Sequence, residues 1–161
     1  GAVWDSAAVR TRLGDIMRRG QYDLVIGLLP FEGNHGHHKG ATILALHAAA
    51  TLPADTRPVI LGGFPCDEEG LPDNFSGLAG YPVTRVTGGL PLVKFDRRQP
   101  LGHEGRLDFR ILANWVIAEH KSQGSMQLLM NRGSTECYWY FDANAPAMRT
   151  WVTELFGRLS P

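Results

Sequence analysis

The chain has 161 residues with no net charge, 16 basic residues balancing 16 acidic ones, and 43% of its residues are hydrophobic. That length suits one domain, and that apolar content is too high for a disordered chain. The even charge balance excludes an overall electrostatic pull toward nucleic acid or an anionic membrane surface. No apolar run approaches the roughly 20 residues a membrane-spanning helix needs, and Gly1 to Asp5 lack the layout of a signal peptide. Cys66 and Cys137 are the only cysteines and no CxxC pair exists, so a thiolate metal site is not expected. Two free, buried thiols in a reducing, cytoplasmic setting are the expectation, with a single disulfide as the alternative.

Along the chain, Asp5 or Ser6 can cap a helix running to about Arg19. Ala8 or Val9, Leu13, Ile16 and Met17 share one face, and Gly20 suits its stop. Arg10, Arg12, Arg18 and Arg19 read as the wet face of that helix rather than a phosphate patch. Asp23 to Leu29, DLVIGLL, is a continuous apolar run, the pattern of a parallel strand buried on both faces. Pro30 to Gly36 is a loop, and a second, alanine-rich helix runs from about His38 to Thr51. Pro58 to Leu61 reads as another buried strand. Gly62 to Gly89 is rich in Gly and Pro and reads as a surface excursion. Leu92 to Phe95 suits a strand. A helix is predicted from Leu107 to about Gln123, with Ile111, Leu112 and Trp115 at helical spacing. Cys137 to Phe141 is strand-like by its aromatic content. Pro146 to Leu159 closes the chain as an amphipathic helix with Met148, Trp151, Val152, Leu155 and Phe156 facing in. Helix, strand, loop, helix and strand in that order predict a single α/β layered, Rossmann-like domain over residues 1–161. Its sheet is expected to be mostly parallel and flanked by helices, with Asp23 to Leu29 near its centre.

Three of the six histidines fall in the loop FEGNHGHHKGA that follows the DLVIGLL run. In a parallel α/β sheet, ligands bind outside the carboxyl ends of the strands. His35 and His38 are three positions apart and converge if the second opens a helix; neutral imidazole is a common zinc ligand. His37 points another way, to solvent or to a supporting role. Further on, His120-Lys121-Ser122-Gln123 closes the Trp115 helix with consecutive polar groups, and Glu136 stands just before the aromatic strand.

These three segments, in this order, resemble the LmbE/PIG-L family of N-acetylglucosamine deacetylases. The family shows a strand, a loop with His-x-x-His (His35-Gly36-His37-His38) and an alanine-rich helix. A helix ending in His-x-Ser-Gln (His120 to Gln123) comes later. An acidic residue then precedes an aromatic segment (Thr135-Glu136-Cys137-Tyr138). The resemblance implies a zinc-dependent N-deacetylase, using zinc or another divalent metal, that removes acetate from an N-acetylglucosamine-containing small molecule. His38 would be a metal ligand and His35 a catalytic residue stabilising the transition state, with His120 and Gln123 lining the pocket. The family's His-Pro-Asp-Asp-like motif, which supplies two further ligands and the base, does not occur in this sequence. The resemblance therefore implies an N-terminally incomplete domain, lacking its first strand or strands. The alternative is a non-catalytic carbohydrate-binding or regulatory relative that has lost its metal site. An oligomer is compatible with either.

Overall fold

The computed structural model describes residues 4–67 and 72–159. Helix α1 is Ser6–Gly20, and the Asp5 carboxylate caps it by accepting from the Ala7 and Ala8 amides at 3.1 and 3.0 Å. Gln21, in the left-handed region at φ 49°, ends it in the manner expected of a C-terminal cap. Strand β1 is Leu24–Leu28, helix α2 is Gly36–Ala49 and strand β2 is Val59–Pro65. After a 3₁₀ turn at Pro82–Thr84 come the short strands β3 (Val93–Asp96), β4 (Pro100–Gly102) and β5 (Leu107–Asp108). Helix α3 is Arg110–Glu119, followed by a 3₁₀ segment at Gly124–Leu129. Strand β6 (Thr135–Tyr140) and helix α4 (Met148–Leu159) complete the chain.

The main sheet has four strands in the order β1-β2-β6-β3. It is mixed, not mostly parallel: β1 and β2 run parallel, while β6 is antiparallel to both β2 and β3. Nor does β1 sit at the centre. It is an edge strand with β2 as its one neighbour among the described residues. Its continuous apolar run is half covered as a result. Val25 packs toward α2, whereas Ile26 and Leu28, on the other face, remain exposed.

Strand β2 has neighbours on both sides and is buried from Val59 to Gly63. Its side chains alternate between two cores, as pleating requires. Ile60 joins Met17, Leu29, Leu46, Trp139 and Phe141 beneath α1 and α2. Val59 and Leu61 join Tyr140, Val152 and Phe156 beneath α4. The inward positions predicted for the last helix are the buried ones: Val152 and Phe156 are buried, and Met148, Trp151 and Leu155 are partly so. The helix predicted over Leu107 to Gln123 is shorter, and none of its residues is buried. Trp115 is 61% exposed. Its apolar stripe has helical spacing but packs mainly on the 3₁₀ segment that follows it.

The cysteines are not free thiols. Cys66, just past the end of β2, forms a disulfide with Cys137 on β6 across 71 positions of sequence. Closing a loop of that length removes on the order of 4 kcal/mol of unfolded-state entropy. Of the Gly62 to Gly89 excursion, Gly62 to Pro65 belong to β2 and residues 68–71 lie outside the described residues.

Asn144 performs the work of a missing strand neighbour. Its Oδ1 accepts from the Ile60 amide and its Nδ2 donates to the Ile60 carbonyl, both at 2.8 Å and both buried. Asn144→Ala leaves a donor and an acceptor unsatisfied in the core. It is expected to lower stability by about 2–4 kcal/mol, read from urea unfolding; a loss within error of zero would show that Ile60 is satisfied by other means.

Candidate functional site

The register places one set of strand ends together. The carboxyl ends of β1, β2 and β3 and the amino end of β6 lie at the same sheet edge. That edge carries the histidine loop after β1, Asp67 after β2, Arg97 after β3, and Glu136 at the start of β6. A cavity of about 470 Å³ opens at the other edge, lined by Asp23, Asp55, Arg57 and Met148, away from the histidines.

The loop between β1 and α2 is tied down at several points. The Leu29 amide donates to the Gly63 carbonyl at 3.0 Å, carrying the β1–β2 pairing one residue past β1. Helix α2 crosses β1 closely over Gly27, where an added Cβ would stand 2.5 Å from the Thr42 hydroxyl. That hydroxyl donates to the Leu28 carbonyl at 2.7 Å and is buried. Lys39 Nζ donates to the Glu32 carbonyl at 2.9 Å, and Phe31 packs edge-on against Phe64 at 4.9 Å. The histidines therefore project from a fixed turn, although each is itself exposed.

Asn34 organises them. Its Nδ2 donates to the Leu29 carbonyl at 2.8 Å, and its Oδ1 accepts from the His35 amide at 2.7 Å. The same Oδ1 lies 3.2 Å from His38 Nδ1. Since that oxygen can only accept, a hydrogen bond there requires the proton on His38 Nδ1, which in a neutral ring leaves the lone pair on Nε2. His35 is the N-cap of α2, and its Nδ1 accepts from the His37 amide at 3.4 Å. Its proton is therefore on Nε2. The two rings, with centroids 5.6 Å apart, thus present opposite chemistry: a lone pair from His38 and an N–H from His35. His37 stacks on Trp4 at 5.4 Å with an 8° interplanar angle. A cleft of about 450 Å³ opens beside the start of α2, lined by Gly36, Lys39, Gly40, Leu78 and Tyr81.

His120 and Gln123 follow helix α3. His120 ends α3, and its Nδ1 donates to the Val116 carbonyl at 2.8 Å. The cleft beside it, about 420 Å³, is lined by α3 and Ser122 with no residue of the histidine loop. The cleft beside α2 likewise has no residue from α3. Gln123 is exposed and starts the 3₁₀ segment.

Glu136 is half-buried and pairs with Arg97, Nη1 to Oε1 at 3.3 Å. Burial pushes its carboxyl up, the Arg97 guanidinium opposes this, and the nearby Asp67 charge adds to it. Asp67 lies in the opposite sense. Burial is the largest single effect and raises it, but donation from the Ser134 hydroxyl and from the Ser134 and Thr135 amides together outweighs that and holds it below its ordinary value. Asn34, Asp67 and Arg97 were not among the residues the sequence singled out. Only Asn34 had a readable signal: an amide four positions before His38 at a helix start.

Among the described residues, no group of three His, Cys, Asp or Glu side chains is arranged to hold a metal ion. His38 fits such a role as one ligand, because a free Nε2 with Nδ1 held by an acceptor is how zinc-bound histidines are oriented. A catalytic zinc takes three protein ligands, and the described residues offer no such set. The chain matches no family model, no curated protein and no solved structure.

Asp67 generates a pH test. A carboxylate whose folded-state pKa lies below its unfolded one stabilises the fold at pH values above the unfolded pKa. That contribution vanishes as pH falls through the folded value. Asp67→Asn is expected to be less stable than the native chain at neutral pH, with the gap closing as pH drops below the ordinary 3.8. Urea midpoints at about pH 7 and about pH 2.5 check this; an unchanged gap would contradict the assigned hydrogen bonds.

Proposed function

We propose that this chain is part of a zinc-dependent N-deacetylase of the LmbE/PIG-L type, acting on an N-acetylglucosamine-containing small molecule. The observation that supports this most is the opposite engagement of two Nδ1 atoms at the carboxyl edge of β1: that of His38 faces the Asn34 oxygen, and that of His35 takes the His37 amide. In this reading His38 Nε2 holds the metal. A bound zinc would lower the pKa of a coordinated water and polarise the amide carbonyl. His35 would donate its Nε2–H as a hydrogen bond to the oxyanion that develops on that carbonyl. Its Nδ1 stays on the helix cap and keeps the donor aimed.

The open edge of β1, with Ile26 and Leu28 uncovered beside it, supports a further proposal. A strand from outside these 161 residues pairs there and brings the remaining ligands and the carboxylate base to the histidine loop. Among the described residues no helix is long and apolar enough to cross a membrane. The Cys66–Cys137 disulfide favours an oxidising compartment over the cytoplasm in this reading.

The test uses protein extended upstream of Gly1. His38→Ala is expected to lose both zinc and activity. His35→Ala is expected to keep its zinc and deacetylate an N-acetylglucosamine substrate roughly 10²-fold more slowly. Metal analysis and an acetate-release assay read the two effects. Full zinc content in His38→Ala would remove the metal assignment, and native turnover in His35→Ala would remove the transition-state role alone.

A further inference from the structure

We propose that Asn34 is a positioning residue that selects the tautomer of His38 and so makes His38 Nε2 available as a metal ligand. The inference deepens the deacetylase reading, and its metal-binding part rests on it. Its geometry stands independently. Two backbone groups fix the orientation of the Asn34 amide: the Leu29 carbonyl requires a donor and takes Nδ2 at 2.8 Å, and the His35 amide requires an acceptor and takes Oδ1 at 2.7 Å. Rotating the amide by half a turn would set an oxygen against a carbonyl and an NH₂ against an N–H. The oxygen facing His38 Nδ1 at 3.2 Å is therefore held by contacts that do not involve His38.

An unassisted neutral histidine favours the Nε2–H form, which would block Nε2 with a proton. An acceptor on Nδ1 reverses that preference and orients the ring. The reversal relies on the end of β1, because the Leu29 carbonyl that holds Nδ2 belongs to the residue whose amide carries the β1–β2 pairing onward. Sheet register thus reaches the imidazole through one amide side chain. His35 needs no such partner, since its Nδ1 is committed to the cap of α2.

The tautomer can be read without metal or substrate, from long-range ¹⁵N–¹H NMR of the imidazole nitrogens in the neutral side chain. In the native chain His38 is expected to show a protonated Nδ1 and a lone pair on Nε2. His47, on the same helix, serves as the internal reference. Asn34→Ala is expected to move His38 to the Nε2–H form, with His47 and the α2 amides unchanged. In protein extended upstream of Gly1, Asn34→Ala is expected to weaken zinc binding by about 10- to 100-fold in a competition titration. A native His38 in the Nε2–H form would overturn the proposal, as would a folded Asn34→Ala that keeps Nδ1 protonated. A protonated Nδ1 in an extended protein that never binds zinc would support the positioning by Asn34 and sink the deacetylase reading instead.

Discussion

Strands β1 and β2 run side by side in the same direction, and α2 must carry the chain back between them. The crossover is closed tightly: α2 lies over the bare face of Gly27, and the Thr42 hydroxyl holds the last carbonyl of β1. From that constraint follows the place of the histidine loop, because a parallel pair joined by a helix puts the first loop at the carboxyl edge. The direction of Asn34 follows too, since its amide is pinned to the residue just past β1. A side chain at Gly27 would lift α2 from the strand and move every group in the loop together.

The same edge gathers the electrostatics of the domain. Asp67 fastens the end of β2 to the start of β6 through Ser134 and Thr135, and the Cys66–Cys137 disulfide joins the same two segments covalently. Arg97 reaches from the end of β3 to Glu136 and, through its other nitrogen, to the Arg132 carbonyl at 3.0 Å. Two strand ends and one strand start are thus cross-linked by charge, hydrogen bonds and sulfur. The amino edge is held by a different device, the Asn144 amide that extends the β2 ladder at Ile60. Rigid strand ends are the physical condition for a site built from their loops.

What the sequence made legible was local. The apolar run in β1, the alanine-rich α2 and the inward face of α4 were readable because each depends on periodicity within a few turns. The direction of β6 was not, because pairing across seventy-odd positions leaves no periodic trace, and the Cys66–Cys137 partnership depends on that pairing. The run Asp23 to Leu29 implied burial on both sides, but a pattern states only that a residue wants cover and not where the cover comes from. Ile26 and Leu28 still have the composition of a covered strand while sitting at an edge. The apolar stripe of α3 tells the same story: Trp115 and Val116 have helical spacing and remain exposed. In the histidine loop, the residue types were legible and the placing of the Asn34 amide against His38 was not, because its orientation comes from the carbonyl of Leu29, a tertiary feature of the turn.

The central claim is that the loop after β1 presents His38 Nε2 to a metal, and that the open edge of β1 receives the strand carrying the other ligands. Anomalous diffraction at the zinc edge, on crystals of protein extended upstream of Gly1 and grown with zinc, tests it most directly. The account predicts a zinc ion on His38 Nε2, with Asn34 Oδ1 on the opposite nitrogen and His35 near the metal but not bound to it. The remaining ligands should arrive from a strand paired along β1. Zinc held away from this loop, or β1 left as an edge in the extended protein, would contradict it.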